Sequence, residues 1–120
     1  DAVVIYISDH GENVHDEGSA LLGHAYGKPN RYLYEIPMVV WASDGFRQKR
    51  PEKWGAIQGA VSRPFMTDDF IQALLGLMDI QTSEYDPRKN IFAPEFDTER
   101  KRLVSGRNYD TELRHEKIDE

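Results

Sequence analysis

The sequence predicts an α/β domain and reads as the back part of a larger one. Val3-Val4-Ile5-Tyr6-Ile7 is an unbroken apolar run rich in β-branched residues. Such a run fits a strand buried on both faces, as in a parallel sheet covered by helices. Met38-Val39-Val40-Trp41 is a second run of the same kind, and Thr67 to Met78 carries apolar residues at helical spacing. A doubly wound sheet needs several strands and crossover helices. Two convincing strands and one long helix are too few, so the 120 residues are expected to be a portion of such a domain.

The first strand ends in Ser8-Asp9-His10-Gly11-Glu12. In open α/β sheets, ligands bind outside the carboxyl ends of the strands. Neighbours in a continuing strand point to opposite faces, so Asp9 and His10 meet one ion only if the chain turns. Gly11 permits backbone angles that other residues resist. A carboxylate oxygen beside an imidazole nitrogen is a plausible half of a zinc site, with Glu12 able to orient the imidazole. The plainer alternative is a strand-end loop with a hydrogen-bonded Asp and a solvated His.

Residues 13–34 form a polar connection without an obvious helix. A loop of this length inside a compact domain is usually functional or disordered. Gly18, Gly23 and Gly27 suggest tight turns. His24 follows His10 at a separation that lets the loop fold back over the strand end and present a second imidazole; otherwise it is a solvated loop residue. His15, beside Asp16 and Glu17, reads as exposed and charge-compensated. The second strand is expected over 35–43, with Pro37 where no ladder donor is lost and Asp44-Gly45 as its closing turn. Phe46 to Pro64 is basic in part, with Arg47, Lys49, Arg50, Lys53 and Arg63. It reads as a surface excursion onto which Trp54 tucks, or more sharply as a contact for an anionic substrate.

Thr67 is a good N-cap for the helix, and Asp68 and Asp69 complement its dipole. Phe70, Ile71, Leu74, Leu75, Leu77 and Met78 form the face expected to bury, worth roughly 1.5–3 kcal/mol per side chain before entropy. Asp79 to Phe96 reads as a loop that docks Ile91-Phe92 onto the core. The expected organisation is 1–96 as the portion of the α/β domain and 97–120 as a charged, solvated tail. Within that tail, Leu103-Val104 offers a short edge strand and His115 no chemistry.

Whole-chain composition narrows the function classes. There are 21 acidic and 15 basic residues, a net charge of −6, which argues against a nucleic-acid binder driven by phosphate contacts. Cysteine is absent, so these residues hold neither a disulfide nor a thiolate metal site. No stretch of eighteen apolar residues occurs, nor any signal-peptide pattern.

Ser8-Asp9-His10-Gly11-Glu12 resembles the metal-binding segment of the alkaline phosphatase/sulfatase superfamily, and more narrowly that of the phosphoethanolamine transferases of Gram-negative envelopes. Gly23-His24 before Pro29, Ile36 to Trp41, Asp69 to Leu77 and Tyr85-Asp86 agree in order, so the resemblance covers about residues 2–93. It implies the C-terminal portion of a sulfatase-like α/β/α sandwich. It also implies Asp9 and His10 as ligands of a catalytic zinc, with manganese as a second option, and His24 as a contact to the phosphoryl group or to a second zinc. The family's remaining acidic ligand and its threonine nucleophile have no matching position here, so no catalytic nucleophile is expected within the chain. The implied reaction moves phosphoethanolamine from a phospholipid to lipid A or lipopolysaccharide core. It takes place on the periplasmic face of the inner membrane, with upstream segments as the anchor. A sulfatase or phosphoglycerol transferase of the same superfamily and a noncatalytic interaction domain are the other readings. Alone, the chain is expected to be inactive, to bind zinc weakly and to associate through an exposed sheet edge.

Overall fold

The computed structural model describes residues 1–24 and 29–117. The turn expected at Gly27 lies outside the described residues. Strand β1 (Val3–Ile7) and strand β4 (Met38–Ala42) are hydrogen-bonded neighbours in a two-stranded sheet. Both fall where the apolar runs place them. Their burial differs from the expectation, because alternate residues remain half exposed: Val4 55%, Tyr6 60%, Val39 56% and Trp41 51%. The unbroken apolar runs encode burial on two sides, and the described residues supply it on one.

The chain divides into two compact units, each assembled from separated stretches. The first comprises Asp1–Ile5 and Val40–Arg100. Ser43 Oγ accepts from the amides of Ala2 at 2.9 Å and Phe46 at 3.2 Å, so one hydroxyl fixes the chain entering β1 and caps helix α1 (Asp44–Lys49). Arg50 leaves helical geometry, and Pro51 restarts the chain as helix α2 (Pro51–Gly59). Proline tolerates the first helical position because its missing N–H has no intrahelical partner there. The stretch expected as a surface excursion is therefore largely helical. Its large apolar residues Phe46, Trp54, Ile57 and Val61 are too sparse to show a stripe, although Ser43 and Pro51 are legible start signals. Trp54 is half-buried, with the Arg47 guanidinium 4.5 Å from its ring.

A 3₁₀ turn (Thr67–Asp69) leads into helix α3 (Phe70–Leu77). Thr67 makes no capping hydrogen bond, which corrects the expected N-cap. The turn starts from Met66, so Thr67 is already inside it. Ala73 is fully buried, whereas Ile71 and Met78 stay largely exposed, a narrower buried face than the spacing suggested. The buried apolar residues of this unit are Ala42, Ile57, Ala60, Ala73, Ile91, Phe92 and Ala93. Residues 91–93 thus dock as expected. Arg63 Nη1 ties them down by donating to the carbonyls of Ile91 and Ala93, each at 2.6 Å. Asn90, 4% exposed, accepts from Phe92 N and donates to Tyr85 Oη, both at 2.9 Å.

The second unit comprises Tyr6–Val39 and the chain from Lys101 onward. Strand β2 (Asn13–Val14) pairs antiparallel with β3 (Leu22–Gly23), and a 3₁₀ turn follows at Arg31–Leu33. Strand β5 (Leu103–Val104) pairs antiparallel with β6 (Arg107–Asn108), across Ser105 and Gly106 at positive φ. Leu113 is 0% exposed. The expectation of a solvated tail is corrected for these residues. Their charges pair with one another, Arg102 with Asp110 and Arg107 with Glu112 and Glu116, so the many charged side chains accompany a fold.

Tyr109 braces this unit. Its hydroxyl donates to Glu35 Oε1 at 2.6 Å, and Arg102 lies 4.5 Å from its ring. Glu35 also meets Arg31 Nε at 3.2 Å. Burial, then the hydrogen bond to Glu35, pushes the Tyr109 phenol up from 10.0 to about 12. The fold therefore favours the neutral phenol. The stability this contributes is complete below pH 10 and is lost as the pH rises towards about 12. An alkaline titration followed by phenolate absorbance should show this tyrosine ionising together with unfolding of its unit, and Tyr109→Phe should remove that coupling.

Candidate metal centre

The site begins where β1 stops. Ser8 Oγ donates to the His10 carbonyl at 2.7 Å, and Asp9 Oδ1 accepts from His10 N at 3.0 Å. These short-range bonds compete with strand continuation and turn the chain. Gly11 then donates its amide to the Leu33 carbonyl at 2.9 Å. A Cβ on Gly11 would lie 1.9 Å from the Tyr32 carbonyl oxygen. Glycine is required here for space, since the described glycines at positive φ are Gly18, Gly23 and Gly106. That revises the expectation that Gly11 serves by its backbone angles.

The turn sets the state of His10. Its Nδ1 lies 2.7 Å from the Gly11 carbonyl, so the proton sits on Nδ1 and the Nε2 lone pair is left free. This hydrogen bond is the main cause of a raised imidazole pKa, and the charges of Asp9 and Glu12 act in the same direction. Gly23 adopts φ +82, a left-handed angle that costs glycine little. Next to it, His24 Nδ1 lies 3.2 Å from both carboxylate oxygens of Glu12. The rings of His10 and His24 stand 4.1 Å apart between centroids, tilted by 40°. The resulting cluster is His10, Glu12 and His24, one donor atom of each within 4.8 Å of the others, all exposed.

Asp9 stands at the margin. Its side chain is 90% exposed, and Oδ1 lies 3.9 Å from His10 Nε2. Two ligands at zinc bond lengths and a tetrahedral angle stand about 3.3 Å apart. The Asp9–His10 separation exceeds this, and Asp9 is not part of the cluster. Glu12 was expected to orient His10; it meets His24 instead, because the β2–β3 pairing brings residues 12 and 24 side by side. His15 Nδ1 lies 3.2 Å from the Ser19 carbonyl, and His15 is not part of the cluster. His115 sits in the 3₁₀ turn Leu113–His115. Two imidazoles and a carboxylate form a nitrogen–oxygen donor set of the kind zinc takes in catalytic sites, where it keeps an open position. The residues present therefore fit such an ion.

Two residues that the sequence does not single out hold this geometry together. Asn13 and Asn30 are 5% and 9% exposed. Asn30 Nδ2 donates to Asn13 Oδ1, and Asn13 Nδ2 donates to the Gly23 carbonyl, each at 3.0 Å. Nothing in an isolated Asn marks such a role before the chain is folded.

The sulfatase family model matches residues 1–80, and the chain belongs to this family. Among curated proteins it is similar to phosphoethanolamine transferase EptA of Salmonella typhimurium, at 28% identity over 92 residues. That alignment covers 76% of the chain and 17% of the relative, so the chain spans under one fifth of that protein's length. Among solved structures it is similar to the C-terminal periplasmic domain of EcEptC from Escherichia coli. The TM-score is 0.78 at 26% identity, covering 91% of this chain and 32% of that one. A complex of the same domain with Zn gives a TM-score of 0.74 at 25% identity. The mixed helices and strands are thus a fragment of a sulfatase-like α/β fold. No described helix is long and apolar enough to cross a membrane.

Proposed function

We propose that the chain carries part of the metal centre of a zinc-dependent phosphoethanolamine transferase. That enzyme moves phosphoethanolamine from a phospholipid donor to lipid A or lipopolysaccharide core at the periplasmic face of the inner membrane. The observation that carries this reading is the convergence of His10, Glu12 and His24 at the end of β1, in a sulfatase-family chain similar to transferases of that name. His10, with its proton held on Nδ1, offers Nε2 to the ion. Asp9 would be the second ligand from this strand end. Glu12, 3.2 Å from His24, would add its carboxylate to the donor set, and His24 would face either the ion or the phosphoryl group. A bound zinc would draw charge from the phosphoryl oxygens and ease formation of an alkoxide nucleophile. A threonine nucleophile and the remaining ligands belong to other parts of the enzyme.

The test uses the full-length protein with phosphatidylethanolamine vesicles and lipid A. Asp9→Ala and His10→Ala should each lower transfer at least ~100-fold, since each removes a ligand and with it the polarising charge. Metal analysis should show zinc lost in parallel. Unchanged turnover in both variants would refute the assignment. Hydrolysis of an aryl sulfate with no lipid transfer would move the chain to the sulfatase branch.

A further inference from the structure

The two buried amides of the second unit lie outside the donor set, yet they touch every segment that carries a donor. Asn13 follows Glu12 directly, and the Gly23 carbonyl to which it donates directly precedes His24. Asn30 donates to Asn13, and its own Oδ1 accepts from Tyr32 N at 3.1 Å, capping the turn Arg31–Leu33. That same turn receives the Gly11 amide through the Leu33 carbonyl at 2.9 Å. The path Gly23–Asn13–Asn30–turn–Gly11 therefore closes a loop of hydrogen bonds behind His10, Glu12 and His24.

Buried amides are costly to desolvate unless they find partners. Here the partners are satisfied, and a satisfied buried polar network rigidifies its surroundings. The backbone pairing alone does not do this, since β2 and β3 are two residues each. Three exposed donors on so short a ladder would otherwise sample many separations. A metal centre requires them at one separation, and groups that orient ligands from behind typically change metal affinity 10–100-fold when removed.

We propose that Asn13 and Asn30 are positioning residues that set the spacing of His10, Glu12 and His24 for a divalent cation. The inference rests on the reading of that cluster as a metal centre. The two amides neither bind the ion nor touch substrate. Asn13 fixes the distance between the Glu12 and His24 segments, and Asn30 ties that pair to the turn that seats Gly11. Both act through backbone placement.

The test is zinc affinity of the full-length protein, by competition with a chromophoric chelator, together with the visible spectrum of the cobalt-substituted form. Asn13→Ala should weaken zinc about 10-fold and alter the cobalt band. Asn30→Ser keeps a hydroxyl acceptor that can cap the turn but cannot reach Asn13, and should produce a similar change. The double variant should be no worse than Asn13→Ala, because the two act through one path. Leu113→Ala, which removes buried apolar volume from the same unit but none of the path's hydrogen bonds, should lower the melting temperature and leave zinc affinity and the cobalt band as in the wild type. Should Asn13→Ala fail to fold, Asn30→Ser gives the same reading. Wild-type affinity and spectrum in both asparagine variants overturns the inference alone, as does an equal loss in Leu113→Ala. Zinc binding that survives His10→Ala and His24→Ala together overturns the metal-centre reading and this inference with it.

Discussion

Gly11→Ala is expected to abolish zinc binding and transfer in the full-length protein, with an effect as large as deleting a ligand. The added methyl would sit 1.9 Å from the Tyr32 carbonyl oxygen and 2.9 Å from its carbon. These are backbone atoms, so no side-chain rotation relieves the overlap. The turn Arg31–Leu33 must move, and with it the Leu33 carbonyl that receives the Gly11 amide. His10 and Glu12 flank the displaced residue. A 1 Å misplacement of reacting groups can cost about 100-fold in rate, so a loss of at least that size is expected, read as zinc content and turnover. Gly55→Ala is the matched control. It lies in α2 with nothing within 4 Å of the added Cβ, and the gain in helix propensity should stabilise by up to about 1 kcal/mol. Normal zinc content and turnover in Gly11→Ala would show that the turn yields without disturbing the donors.

The second large effect concerns stability. Arg100→Met should destabilise the first unit by about 2–3 kcal/mol, below the range for a fully buried pair because the guanidinium is partly exposed. Arg100 pairs with two adjacent carboxylates, Asp68 at 2.6 Å and Asp69. They are not equivalent: the Asp68 side chain is 56% exposed and the Asp69 side chain 6%. The hydrogen bond from Arg100 holds the Asp68 carboxyl below its usual range. Burial raises that of Asp69, with the Arg100 charge opposing. Without the guanidinium, Asp69 becomes a buried charge with little compensation. Its folded pKa rises further, so its favourable neutral state is complete below the ordinary carboxylate value of 3.8 and is lost as the pH climbs through the folded value. The deficit of Arg100→Met, measured as a shift in urea midpoint, should therefore shrink on acidification. Asp68→Asn, at the exposed member, should cost no more than about 1 kcal/mol. Equal losses from the two substitutions would contradict the asymmetry of burial.

The parts of this fold legible in the sequence are those written in local pattern. β1 and β4 coincide with uninterrupted apolar runs, and α3 with a helical stripe. Asp9, His10 and His24 stand out because their chemistry is visible one residue at a time. Helices α1 and α2 escaped because their glycines, charges and few apolar residues give no periodic signal. Glu12 is conspicuous by its chemistry, but the imidazole it meets is set by the register of a two-residue ladder, which carries almost no sequence pattern. The amides of Asn13 and Asn30 meet across seventeen positions, a relation that exists only in three dimensions. The strand at Leu103–Val104 is legible as an apolar pair, whereas the order of residues 107–115 is hidden by charge, which reads as solvation until the partners are seen to be one another.

The bond from Tyr109 to Glu35 joins residues 74 positions apart, and this orders events during synthesis. A nascent chain that has emerged only as far as Arg100 has His10, Glu12 and His24 but not the phenol that braces the loop through Glu35. Long-range contacts of this kind are made late, after loop-closure entropy has been overcome. The proposed centre should therefore mature only once the segment carrying Tyr109 has been made and has docked on Glu35.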